Sequence, residues 1–137
     1  MSVAAEYNSF NEKLANFINV VTGMCPAREP QLTQARNLCG IAVNISPKLP
    51  AVWFKKNITL PLSDAIIKRD IEKFIADARV VEENNKNNKM NFSIAEVISG
   101  EIGCLGEEDK QVLWKYLKVL VLLSNKCESD ANLEAMC

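Results

Sequence analysis

The sequence contains no histidine, and this absence excludes the chemistry that depends on an imidazole ring. Catalytic triads with a histidine base, histidine-containing zinc sites and histidine pH switches are therefore unavailable within these 137 residues. The sequence also lacks a CxxC pair and a glycine-rich phosphate loop that follows a strand. We accordingly predict neither a metal site nor a bound cofactor, and we do not predict an enzyme.

Neither sign of charge predominates, because 17 acidic and 16 basic residues leave a formal net charge of -1. No bulk positive field is present, so non-specific binding to nucleic acid is not implied. The N-terminal stretch MSVAAEYNSFNEKL has neither the basic region nor the apolar region of a signal peptide. We therefore predict synthesis in the cytoplasm or nucleus and no secretion by a signal peptide.

Long apolar runs are also lacking. The segment from Val119 to Leu123 is apolar on nearly every side of a helix, but Lys115, Lys118 and Lys126 flank it. A transmembrane helix needs about 20 predominantly apolar residues. The segment therefore predicts no membrane span but a helix enclosed by other helices, which belong to this chain alone or partly to a neighbouring molecule.

The five cysteines are odd in number and widely spaced. Free thiols packed as small apolar side chains are the preferred interpretation. A disulfide such as Cys25–Cys39 stays open for an oxidising compartment. The residues concerned are Cys25, Cys39, Cys104, Cys127 and Cys137.

What the sequence does have is apolar residues at helical spacing along most of its length. The clearest stripe, in the first helix, consists of Tyr7, Phe10, Leu14, Phe17, Ile18 and Val21. No stretch alternates apolar and polar residues as a strand would. A single domain commonly holds roughly 100–150 residues. We predict one domain over residues 1–137, an all-α compact bundle of four to six helices.

Two segments in the middle of the chain carry more detailed predictions. A short helix around Trp53 is predicted to end in a turn at Pro61. Residues 62–80, LSDAIIKRDIEKFIADARV, then predict one amphipathic helix with Ile67, Ile71, Phe74, Ile75 and Ala78 on its buried face. Residues 82–91 are rich in asparagine and predict a surface loop, which could divide the chain into helical parts 1–81 and 92–137.

Four aromatic residues are the candidate partner-binding anchors. Trp53 and Phe54 are adjacent. Trp114 and Tyr116 point about 200° apart on the last helix, so at least one of them is expected to face outward or to face a second packing partner. Aromatic side chains dominate the binding energy of protein interfaces. Packing in the core is the alternative for each of the four.

A second set of candidates is cationic. Lys55 and Lys56 follow two aromatic residues, and sites for single-stranded nucleic acid combine cations with aromatic rings in this way. A core tryptophan followed by a basic turn is the preferred alternative. With Lys68 and Arg69 they form the candidate nucleic-acid contact. Carboxylates are the remaining catalytic candidates, chiefly Asp70 and Glu108, although acidic residues at the start of a helix ordinarily stabilise its dipole.

Short motifs in a particular order carry a resemblance to a known group of proteins. The chain has NISPKLP at residues 44–50, I-x-x-R-D-x-x-x-F at residues 66–74 and LWKYLKVLVLLS at residues 113–124. This order is similar to that of small helical proteins of large double-stranded DNA viruses, which carry I-N-P-x-x-P, I-x-x-x-D-x-x-F and W-x-Y-(I/L)-x-x-L. The resemblance spans roughly residues 10 to 125. Ser46 stands where that pattern has an asparagine, and the asparagine-rich segment is an insertion.

The resemblance implies a virion-associated protein, and it carries no catalytic residues to this chain. With it, the sequence predicts a non-enzymatic structural or interaction protein, a minor capsid or capsid-associated component that binds other capsid or virion subunits or itself through apolar helix faces. It would be made in the host cytoplasm or nucleus and then reside in the virion. A nucleic-acid-associated regulatory or packaging factor is the alternative.

Overall fold

The computed structural model describes residues 3–87, 92–127 and 130–137, and all regular structure within those ranges is helical. The all-α bundle is therefore confirmed. Short 3₁₀ turns at Pro26–Arg28 and Ile102–Cys104 and a π-helical segment at Lys55–Thr59 join or extend the α-helices. These are α1 Val3–Met24, α2 Glu29–Ile45, α3 Leu49–Phe54, α4 Leu60–Lys68, α5 Ile71–Asn85, α6 Ile94–Glu101, α7 Glu107–Lys126 and α8 Ala131–Glu134.

Helix α7 lies at the centre of the packing. It contacts α1, α3, the π-helical segment and α4, while α5 contacts both α4 and α6. The ring centroids of Phe17 and Tyr116 lie 5.7 Å apart, and Lys13 and Val119 line one depression, so α1 and α7 run antiparallel. Among the described residues, no helix is both long and apolar enough to cross a membrane.

The segment around Pro61 differs from the predicted turn. Helices α3 and α4 are continuous through Lys55–Thr59, where the Leu60 N–H donates to the Lys55 carbonyl five residues back. This wider π-type turn lets a proline follow without ending the helix, since Pro61 lacks an N–H and falls in the first turn of α4. A break predicted from proline alone is therefore wrong here.

The predicted single helix over residues 62–80 is also wrong. Arg69 adopts a left-handed conformation with φ 54° and ends α4, and Asp70 caps α5 by accepting a hydrogen bond from the Lys73 N–H at 3.1 Å. The turn at Arg69 and Asp70 gives α5 a different direction from α4. Phe74 and Ala78 are buried as predicted, whereas Ile67 is 59% exposed.

The predicted loop over residues 82–91 begins later than expected. Helix α5 continues to Asn85, and this last side chain is buried. Asn85 donates to the Asn57 Oδ1 at 2.9 Å and to the Val81 carbonyl at 2.9 Å, so a tertiary amide contact supports the final turn. Residues 88–91 of the predicted loop lie outside the described residues.

Two glycines offer a matched test of local packing. A Cβ added at Gly40, in the middle of α2, meets nothing within 4 Å, so Gly40→Ala is expected to raise the free energy of unfolding by about 0.5–1 kcal/mol. A Cβ at Gly100 would lie 2.5 Å from the Arg28 Nη2. Arg28 would have to move, which would disturb its ion pair with Glu101, where Nε and Oε2 lie 3.4 Å apart. Gly100→Ala should therefore raise the free energy of unfolding by less than Gly40→Ala does. Urea unfolding of both variants measures the difference, and equal gains would contradict the role given to Arg28.

Candidate interaction sites

Three of the four predicted aromatic anchors belong to the core. Trp53, Phe54 and Trp114 are at most 3% exposed. Trp53 packs on Phe92 with centroids 4.4 Å apart, and the rings of Phe54 and Trp114 make edge contacts with Phe10 and Phe74. These three side chains have no surface to offer a partner in this fold. The alternative prediction, packing in the core, therefore describes these three side chains.

Tyr116 is the fourth anchor, and it reaches the surface. Its ring is half-buried against Phe17. Together with Lys13, Lys115 and Val119 it lines a depression of about 210 Å³ between α1 and α7. The partner-binding prediction therefore stays open for Tyr116.

The predicted cationic set is not gathered into one patch. Lys55 and Lys56 lie in the π-helical segment, and the Lys56 Nζ donates to the Glu134 carbonyl at 3.1 Å. Lys68 is twelve residues further along a continuous helix, roughly 18 Å away, and its Nζ lies 3.3 Å from the Asp64 carboxylate. Arg69 donates to the Gln111 side chain on α7. Lys55 and Lys56 are therefore one pair of neighbours and Lys68 and Arg69 are another, and the two pairs lie apart.

A network of buried polar groups surrounds the π-helical segment. The Asn57 amide donates to the Trp53 carbonyl at 3.1 Å and accepts from Asn85. The Thr59 and Ser124 hydroxyls lie 2.6 Å apart, and the Ser124 hydroxyl also lies 2.9 Å from the Val121 carbonyl. These contacts hold the wide turn against α5 and α7. Its outer side opens into a cleft of about 480 Å³ with exposed Leu60 and Val80 on the rim.

The outer face of α7 also carries exposed apolar side chains. Leu120 and Val121 are buried, but Val119 is 39% exposed and Leu122 is 51% exposed. The chain itself therefore leaves these two residues uncovered, because α1, α3 and α4 pack against the opposite side of the helix. Lys115 and Lys118 are exposed on the same face. We define the α7 outer face as Lys115, Tyr116, Lys118, Val119 and Leu122.

The carboxylate candidates occupy structural positions. Glu108 lies with Glu107 and Asp109 in the first turn of α7, where negative charge stabilises the helix dipole. Asp70 is the N-cap of α5. Within the described ranges, no three Cys, Asp or Glu side chains converge as metal ligands.

The cap at Asp70 gives a direct stability test. Asp70→Ala removes the acceptor of the Lys73 N–H and is expected to lower the free energy of unfolding by about 1 kcal/mol. Asp70→Asn keeps a capping oxygen and should be nearly neutral. Thermal and urea unfolding measure both variants. A loss as large for asparagine as for alanine would mean that the charge, and not the cap, is what α5 requires.

All five cysteines are free thiols. Burial raises the pKa of the Cys39 thiol to about 12, so this side chain is neutral at physiological pH. Burial, with the nearby negative charge of Glu101, also raises the pKa of Cys25. Cys104 is exposed. The preferred interpretation of small apolar packing residues describes the buried members, Cys25 and Cys127.

Comparison with known proteins adds no family to this picture. No family model, no curated protein and no solved structure matches the chain. The resemblance to viral helical proteins therefore rests on the short motifs alone. The arrangement of side chains on the helices must carry any functional argument.

Proposed function

We propose that this chain is a non-enzymatic interaction protein and that the α7 outer face is its binding surface. One observation carries the proposal: Val119 and Leu122 are exposed on the central helix of the bundle, next to the partly exposed ring of Tyr116. Every other side of α7 packs within the chain. A bound partner would cover the α7 outer face.

The composition of the face supports this role. Exposed apolar side chains grouped on one surface are typical of protein contact sites. Tyrosine is enriched in such sites because it combines a large apolar ring with a polar end. The ring of Tyr116 is held against Phe17, so little side-chain freedom would be lost on binding.

The narrower part of the proposal is a minor capsid or capsid-associated virion protein. Its support is the resemblance in motif order over roughly residues 10 to 125. The partners would then be other capsid or virion subunits, and the chain would pass from the host cytoplasm or nucleus into the particle. The nucleic-acid alternative has less support, because Lys55 and Lys56 lie apart from Lys68 and Arg69.

A site-specific crosslinking experiment tests the binding surface. A photoreactive amino acid is placed at position 122 in one sample and at position 41 in a matched control, because Ile41 on α2 is similarly exposed at 54%. We expect a discrete adduct with a virion protein from position 122 and none from position 41 in infected cells. Equal adducts at both positions, or none at 122, would contradict the proposed surface.

Gradient-purified particles test the narrower assignment separately. Quantitative mass spectrometry of the particles should find the chain at a fixed ratio to the major capsid protein. Absence from particles, with the crosslink at position 122 retained, would leave an interaction protein that is not a virion component.

A further inference from the structure

We infer that the α7 outer face binds an acidic amphipathic helix of another protein. This inference deepens the proposed function and rests on it. It goes further by naming the partner's chemistry, which follows from the charge, the shape and the residue spacing of the face.

Charge is the first argument. Between Asp109 and Glu128 the chain contains four lysines and no carboxylate: Lys110, Lys115, Lys118 and Lys126. Three lysines elsewhere do have acidic partners: Lys68 pairs with Asp64, Lys73 with Asp77 and Lys86 with Glu83. Lys115 and Lys118 have no acidic residue three or four positions away on α7, so no pair within the helix can form.

The lysines also lack partners across helices. Among the described residues, neither Lys115 nor Lys118 lies within 4.0 Å of a carboxylate, and the same holds for Lys13 at the edge of the face. Glu6 and Glu12 of α1 are exposed, yet they form no ion pair with these lysines. The face therefore presents positive charge around Val119 and Leu122 and attracts an acidic partner.

Shape favours a side chain over a flat surface. The depression of about 210 Å³ is lined by Lys13, Lys115, Tyr116 and Val119. An apolar side chain that protrudes from a partner would contact the Tyr116 ring and Val119 there. A membrane surface has no protruding side chain of this kind, and a phosphate backbone would leave Val119 and Leu122 without apolar contacts.

The spacing of the face favours a helix. Positions 115, 118, 119 and 122 follow the three- and four-residue steps of one helical strip, about 10 Å long. A second helix packs along such a strip with its own apolar residues at the same steps and its acidic residues beside the lysines. A second copy of this chain is disfavoured, because a two-fold contact would bring two positively charged faces together.

The test uses a synthetic peptide of about 20 residues, long enough to form a helix. Leucines stand at three- and four-residue steps, with glutamate and glutamine elsewhere, and binding is measured by fluorescence anisotropy. We expect saturable binding that weakens on the order of tenfold in Lys115→Glu with Lys118→Glu, and also in Leu122→Ser. Lys56→Glu and Ile41→Ser change a lysine and an exposed apolar residue elsewhere and should leave binding unchanged.

Several results would overturn the inference. One is equal binding of a peptide with lysine in place of glutamate, and another is a Kd for the acidic peptide weaker than about 1 mM. A single-stranded oligonucleotide or phosphatidylserine vesicles that bind the lysines but ignore Leu122→Ser would assign the face to phosphate. A crosslink from position 122 together with failure of the acidic peptide would reject the partner class and keep the proposed surface. Loss of both would reject both.

Discussion

Trp53→Ala is expected to lower the free energy of unfolding by about 3–5 kcal/mol. The Trp53 side chain is 1% exposed and packs on Phe92 at 4.4 Å between centroids, so its removal leaves a cavity between α3 and the segment that precedes α6. Domains of this size are stable by only about 5–15 kcal/mol. The variant should therefore unfold at much lower urea concentration, as measured by circular dichroism.

Two further variants show that this effect comes from the core. Trp53→Phe keeps a ring near Phe92 and removes the buried Nε1, which has no hydrogen-bond partner among the described residues. The free energy of unfolding should therefore fall clearly less than in Trp53→Ala. Leu122→Ala changes an exposed residue and should stay within about 0.5 kcal/mol of the parent. Unchanged unfolding of Trp53→Ala, together with lost partner binding, would instead restore Trp53 as a surface anchor.

The parts of the fold that could be predicted are those fixed by local periodicity. The stripe assigned to α1 is buried along its whole length, with no member more than 3% exposed. A helix repeats every 3.6 residues whatever packs against it, so apolar spacing locates the buried side directly. The helix predicted at Val119 to Leu123 likewise lies within α7.

Breaks and continuations between helices could not be predicted in this way. Arg69 takes a left-handed conformation that non-glycine residues seldom adopt, and its hydrogen bond to Gln111 joins it to α7, 42 positions away in sequence. The π-type turn before Pro61 is likewise supported by Asn85 and Ser124, which belong to other helices. These contacts depend on residues distant in sequence.

Only part of the candidate surface could be predicted from the sequence. The lysines of α7 without acidic partners could be read from the chain, and Tyr116 was among the predicted anchors. Which side of Val119 to Leu123 stays open depends on where α1, α3 and α4 pack, and this is set by the tertiary fold. Aromatic residues alone were a poor guide, because three of the four fill the core.

Ser124→Ala is expected to lower the free energy of unfolding by about 1–3 kcal/mol, although it changes only one oxygen. Ser124 is fully buried, and its single proton is directed to the Val121 carbonyl at 2.9 Å. Thr59 must then donate to the Ser124 oxygen across the 2.6 Å contact. Removing that oxygen leaves the Thr59 hydroxyl buried without its acceptor, which is the costly situation.

A double-mutant cycle separates this hydroxyl pair from general packing. Thr59→Val replaces the buried hydroxyl with a methyl group, and Ser124 keeps its bond to Val121, so the cost should be smaller. The double variant Thr59→Val, Ser124→Ala has no orphaned hydroxyl, and its loss should fall below the sum of the single losses by at least about 0.5 kcal/mol. Ser9→Ala, at an exposed position of α1, controls for the helix preference of alanine. Additive losses, or a Ser124→Ala variant as stable as Ser9→Ala, would show that the pair does not hold the π-type turn against α7.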